Sequence, residues 1–275
     1  MTPSRPISIA VAPNGGRKTQ ADHPALPMTA AELARVGSLC LEAGASMIHV
    51  HVRDREGRHL LDAEAYRDAL ASIRRSVGER LVVQITSESL GIYSPAEQMQ
   101  VIRQVRPESV SLALRELLPD AHGETGLSAF LQWLRKENVA PQFILYSPEE
   151  AIHLAALKAR GVIPFEQLSV LYVLGRYTVG QASDPMDLLP FLDDAVPRFS
   201  YWTTCAFGPK EAACVLAGAL LGGNIRVGFE NNLLLPDGRV ARGNEELVGV
   251  AKDCIVRLGY RPATADELRA NWRLG

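Results

Sequence analysis

The sequence predicts an α/β chain folded as a single (β/α)8 TIM barrel. Three observations predict it: eight short apolar or β-branched runs, a helical pattern after each, and no linker or low-complexity stretch between halves. An open doubly wound sheet would show fewer rounds and a Gly-rich dinucleotide loop after its first strand. Asn14-Gly15-Gly16 is the nearest candidate for such a loop and lacks the spacing. The expected domain is residues 1–275, with a short extra helix at its C-terminal end.

The elements follow in order. The first strand is expected at residues 7–12. A first helix over residues 29–43 has Thr29 before AAELARVGSLCLEA, Glu32 three residues later and Gly44 past its end, a capping box and a stop. Strands two and three are expected at 47–52 and 81–86, and the next helix opens on Ser94-Pro95, a cap followed by proline in the first turn. Strands four and five are expected at 109–113 and 142–146, with the same device repeated at Ser147-Pro148. Strands six, seven and eight are expected at 168–173, 199–204 and 224–228, each again followed by a helix. The last round ends in GNEELVGVAKDCIVRLGY, capped near Asn244, and the extra helix at 265–272 has Thr264 before ADEL.

Composition narrows the partners. With 47% hydrophobic and 22% charged residues the chain is rich enough to bury a sizeable core. Lys plus Arg total 29 against 31 Asp plus Glu, so no positive field favours nucleic acid or an anionic membrane. A small molecule is the expected partner. Cys40, Cys205, Cys214 and Cys254 are widely spaced and read as reduced thiols. No segment approaches the roughly 20 apolar residues of a membrane span, and MTPSRPISIAVAPNGG has no signal-like run, so the expected location is the cytoplasm.

Barrel active sites lie at the C-terminal ends of the strands. The second strand ends in His49-Val50-His51, and residues two apart share a face, so both imidazoles can point into the mouth while Ile48, Val50 and Val52 face the helices. A catalytic zinc takes three protein ligands and leaves a position open. Glu230, in phase with Arg226 and Gly228 on the eighth strand, supplies the third, because strands two and eight both flank strand one in a closed barrel. Two imidazoles and a carboxylate favour zinc and also suit manganese, cobalt or iron. His–X–His alone equally fits buried histidines bonded to the backbone.

Other strand ends are polar. Thr86 and Ser87 end strand three, Ser111 lies in strand four, and hydroxyls there can hold a carboxylate or a developing oxyanion. Glu116 follows with Arg115, with which it could simply pair. Asn14 and Arg17 occupy the loop after strand one, where Arg17 is a candidate reader of a substrate anion. Arg226, inside a strand, requires an anionic partner to offset its desolvation.

The strings APNGGRKTQADHPALPMT, EAGASMIHVHVRD, VVQITSES, PESVSLALREL, YVLGRY, CAFG and GGNIRVGFENNL resemble the β-keto acid cleavage enzymes, of which 3-keto-5-aminohexanoate cleavage enzyme is the named member. The resemblance runs from strand one to the last helix, and HVHVRD and RVGFENN are its specific part. It implies a zinc-dependent barrel, commonly a homotetramer, that exchanges acyl groups between a β-keto acid and acetyl-CoA. It also implies metal ligands at His49, His51 and Glu230, an inward Arg226, and substrate-holding hydroxyls at Thr86 and Ser111.

Three departures from that pattern stand out. Asn231 occupies the place of an aspartate thought to work with the arginine in proton transfer, and a neutral amide cannot be that base. Glu116, or substrate with metal-bound water, would then take the role. Arg17 aligns with the glutamate that reads the substrate amine, and Ile144 with a further polar residue. A second carboxylate or a neutral tail is therefore expected in place of an amine. A metal-dependent hydrolase and a barrel that binds metal or a CoA ester without turnover are the other readings.

Overall fold

Eight parallel strands close into a barrel in the computed structural model, which describes residues 5–272. Residues 1–4 and 273–275 of the expected domain lie outside the described residues. The strands are β1 (Ile9–Val11), β2 (Met47–Val50), β3 (Val82–Thr86), β4 (Ser109–Ala113), β5 (Ala140–Leu145), β6 (Ser169–Leu174), β7 (Tyr201–Ala206) and β8 (Asn224–Val227). Each pairs with its sequence neighbours, and β8 pairs with β1 to close the ring.

Besides a single turn at Leu114–Leu117, the helices are α1 (Ala30–Ala43), α2 (Ala63–Val77), α3 (Pro95–Val105), α4 (Glu124–Lys136), α5 (Pro148–Ala159), α6 (Glu211–Leu220), α7 (Asn244–Arg257) and α8 (Ala265–Asn271). Capping boxes start α1 at Thr29, α3 at Ser94 and α8 at Thr264, and Gly44 ends α1 in the left-handed conformation.

Several strands are shorter than expected, and three details of the helical segments also differ. After β6 the chain forms a 3-10 segment, Pro185–Leu192, instead of an α-helix, because Pro190 inside it has no N–H to give and its ring blocks the preceding turn. Ser147 occupies the cap of α5 without making a cap bond; Glu150 instead turns back to accept from Tyr146 N–H at 2.6 Å. Asn244 is the first residue of α7 and Gly243 its cap. Its amide spans two loops, accepting from Phe229 N–H at 2.9 Å and donating to Pro13 O at 3.2 Å.

Two-residue alternation separates two packed zones. Outward residues such as Ile48, Val50, Val83, Ile85, Val110 and Phe143 form the main core against the helices. Each such buried side chain contributes about 1.5–3 kcal/mol relative to exposure. Inward residues stack in layers. At the N-terminal end of the strands Ala10, Met47 and Val82 pack under Leu268 of α8 and Trp272, the residue that caps its end. At the other end Leu171, Val173, Cys205 and Phe207 form an apolar wall, with Ile144 and Tyr146 packed on it.

Candidate metal centre

The middle of the barrel is polar, and it leads to the site. His49 stands beside Gln84 in the β2–β3 register, and His49 Nδ1 lies 2.8 Å from Gln84 Oε1. An amide oxygen only accepts, so Nδ1 carries the proton and Nε2 presents its lone pair. Gln84 is held in turn: its amide nitrogen donates to Ser109 Oγ at 3.2 Å and Gln142 Oε1 at 3.3 Å. Gln142 continues the chain to Ser169 and Thr203, at 3.4 Å each.

His51 shares the inward face with His49, and both are almost fully buried. Burial first, then the charge of Arg226, pushes His49 down to about 3, so its imidazole is neutral at ordinary pH. Glu230 arrives from a turn, not from the strand itself, since β8 stops at Val227 where the expected strand ran one residue further. Gly228 makes that turn at φ 137°, so close to β1 that a Cβ would meet Ala12 O at 2.4 Å. Glu230 N–H then donates to Ala12 O at 3.1 Å, which fixes the carboxylate over the histidines.

Three atoms converge there. His49 Nε2 and His51 Nε2 are 3.2 Å apart, and Glu230 Oε2 lies 3.8 Å and 3.4 Å from them. Glu230 Oε2 is buried without a hydrogen-bond partner, and these residues could hold a metal ion. Arg226 pairs with the other carboxylate oxygen, Oε1. Although burial opposes ionisation most, Arg226 and the two histidines hold the Glu230 carboxyl well below the usual range. Lys18 donates to Glu230 O at 2.8 Å.

A cavity opens over this cluster, lined among others by Thr86, Glu88, Glu116, Ile144, Arg176 and Phe207. Thr86 Oγ1 accepts from Glu88 N–H at 2.9 Å, which leaves its own proton free to donate. Ser87 also lines the cavity, but its hydroxyl is used on Ser111 O at 2.9 Å. Ser111, also expected to hold substrate, is fully buried with its Oγ unpartnered and is not among the residues that line the cavity. Glu116 accepts from Ser89 N–H at 2.9 Å; burial, reinforced by the charge of Glu88, raises its carboxyl above the ordinary value. Arg115 does not pair with it, being engaged with Glu150 at 2.6 Å.

Other expected residues stand elsewhere. Arg17 is exposed on the loop after β1 and is not among the lining residues. Asn14 is buried and clamps the backbone of His51, donating to His51 O at 2.8 Å and accepting from His51 N–H at 3.3 Å. Asn231 is buried beside Cys205, its amide nitrogen 3.5 Å from Sγ and its Oδ1 without a partner. Burial raises the Cys205 thiol to about 12, so it stays protonated.

Sequence reasoning gave no chemical role to five residues that shape this centre: Gln84, Glu88, Arg176, Arg53 and Glu211, although it set Glu88 at the end of the third strand and Arg176 at the mouth. Gln84 was detectable as the residue two before Thr86 on the same face. Arg53 gathers the loop after β1, donating to Gly16 O at 3.0 Å, Lys18 O at 3.0 Å and Asn14 O at 3.4 Å as well as to Gly15 O. Glu211 accepts from Gly228 N–H at 3.1 Å and from Asn232 at 3.3 Å, under the turn that carries Glu230.

Comparison with known proteins adds an independent line. A family model described as beta-keto acid cleavage enzyme matches residues 6–274. The 3-keto-5-aminohexanoate cleavage enzyme of Fusobacterium nucleatum subsp. nucleatum is 28% identical over 270 residues, 96% of either chain. The 3-oxoadipate:acetyl-CoA acetyltransferase of Cupriavidus necator is 24% identical over 276 residues, covering 97% of this chain and 94% of that one. Among solved structures, the binary complex of ObcA with oxaloacetate has the same fold, with a TM-score of 0.72 at 17% identity over 92% of this chain and 68% of that chain.

Proposed function

The chain belongs to the beta-keto acid cleavage enzyme family, and on that premise we propose a zinc-dependent acyl exchange between a β-keto acid and acetyl-CoA. One carbon–carbon bond breaks in the keto acid and one forms to the acetyl carbon. The CoA thiolate passes to the shortened acyl group, so the products are acetoacetate and a new acyl-CoA.

The convergence of His49 Nε2, His51 Nε2 and Glu230 Oε2 at separations of 3.2, 3.4 and 3.8 Å carries this reading. Zinc bonds of 2.0–2.2 Å in a tetrahedron place ligand atoms about 3.3–3.6 Å apart, so the site suits the ion with only small adjustment. Zinc bound there would polarise the substrate's keto oxygen. Thr86, on the cavity wall with a hydroxyl proton to offer, holds the substrate carboxylate, and the buried Ser111 hydroxyl would join it where the wall opens on binding. Arg226 keeps Glu230 ionised and offsets negative charge that develops beside it.

Proton transfer at the carbon between the carbonyl groups falls to Glu116, the carboxylate on the cavity wall that is not paired with an arginine and whose proton affinity burial raises. Asn231 has no proton-accepting role. Ile144, Val173 and Phe207 face the rest of the cavity, which supports an uncharged tail on the keto acid. The family resemblance further implies a cytoplasmic homotetramer, which sedimentation equilibrium tests.

The direct test is a panel of β-keto acids assayed with and without acetyl-CoA, together with metal analysis of the wild type and His49→Ala. Acetoacetate release should depend on acetyl-CoA, and His49→Ala should lose both zinc and turnover. A His49→Ala protein that keeps both sinks the reading.

A further inference from the structure

Glu88 is held on every side before any ligand arrives. Its N–H donates to Thr86 Oγ1 at 2.9 Å, and its carbonyl oxygen lies 2.7 Å from His59 Nε2. Arg176 Nη2 is 3.1 Å from Glu88 Oε1, and that guanidinium is nearly buried, seated 4.8 Å over the Phe207 ring. Gly16 leaves the space, since a Cβ there would come within 2.9 Å of Glu88 Oε2. The remaining oxygen, Oε2, faces His51 Nδ1 at 3.7 Å. His51 Nδ1 is buried and has no hydrogen-bond partner.

We infer that Glu88 is a positioning residue for the metal centre: its carboxylate draws the Nδ1 proton of His51 toward itself, so that Nε2 keeps its lone pair for the ion, and Arg176 holds Glu88 in place to do so. This rests on the metal reading of the preceding subsection. A histidine ligand is commonly oriented by an acceptor on its other nitrogen, which also strengthens it as a ligand. His49 has that acceptor in Gln84, at 2.8 Å. For His51, Glu88 is the one carboxylate within reach of Nδ1 among the described residues, and closing the present gap to a hydrogen bond takes a shift of about 0.5–0.9 Å. The two ligands thus have different supports, a neutral amide for His49 and a carboxylate for His51.

Zinc affinity, measured by competition with a chromophoric chelator on metal-free protein, tests this. Glu88→Ala should weaken zinc binding about 10–100-fold. Glu88→Gln, which keeps the shape and an acceptor oxygen, should weaken it less and keeps the test valid if the alanine variant misfolds. Arg176→Met should also weaken binding, and adding it to Glu88→Ala should cause no further loss, because Arg176 acts through Glu88. The absorption bands of the cobalt-substituted protein should shift in the Glu88 variants and be unmoved in Arg17→Ala. Both Glu88 variants binding zinc as tightly as the wild type would overturn the inference while leaving the metal site standing. A wild type that takes up no zinc would overturn the metal reading itself.

Discussion

Glu211 is wholly buried at the start of α6, with two side-chain hydrogen bonds and, among the described residues, no ion-pair partner. Burial raises its carboxyl from the ordinary 4.5 to about 8. The folded protein therefore holds this proton where the unfolded chain has released it, and stability falls as pH rises from 4.5 to about 8. Glu211→Gln carries no such proton, so its unfolding midpoint should decline less over that interval. Parallel denaturation curves of the two proteins between pH 5 and pH 9 would contradict it. Glu211 also shows why some residues escape sequence reading. Its partners, Gly228 and Asn232, lie across a β–α junction, and nothing in the string FGPKE announces them. His49, His51 and Arg226 were legible because strand parity alone sets their direction. Arg17 was read as facing the site and Arg176 was given no chemical role, the reverse of their places at the cavity, because each lies in a loop whose course depends on what it packs against.

The loop after β1 is an element without regular structure, and its order comes from outside. Arg53 donates to carbonyls of residues 14, 15, 16 and 18, and Asn14 ties the loop back to the His51 backbone. Gly15 and Gly16 have no side chains where Glu230 and Glu88 pass, and a Cβ on Gly15 would lie 2.5 Å from Glu230 Cγ. Arg53→Met should release the loop: amide exchange at residues 14–18 is expected to accelerate, with zinc affinity falling, while exchange in β5 and β6 stays as in the wild type. Uniform acceleration across the barrel would mean that Arg53 serves global stability instead. Helix starts were the most legible elements, since Thr29, Ser94 and Thr264 carry capping boxes within four residues. The segment after β6 was misread because Pro190 sits inside an otherwise helical apolar pattern.

At the scale of the whole molecule, eight repeated strand and helix patterns made the barrel legible, and closure brought β2 and β8 to either side of β1. The role of α8 was not legible. Its Leu268 and the Trp272 that caps its end cover the lower end, against Ala10, Met47 and Val82. Leu268→Ala should destabilise the fold by about 2–5 kcal/mol, with little change at the metal centre. A thermal midpoint within a degree of the wild type would show that the helix merely rests on the barrel. Among the described residues, the same cover seals the barrel end opposite the cavity. Traffic to and from the histidines therefore runs past Glu88, Arg176 and Phe207 on the cavity wall.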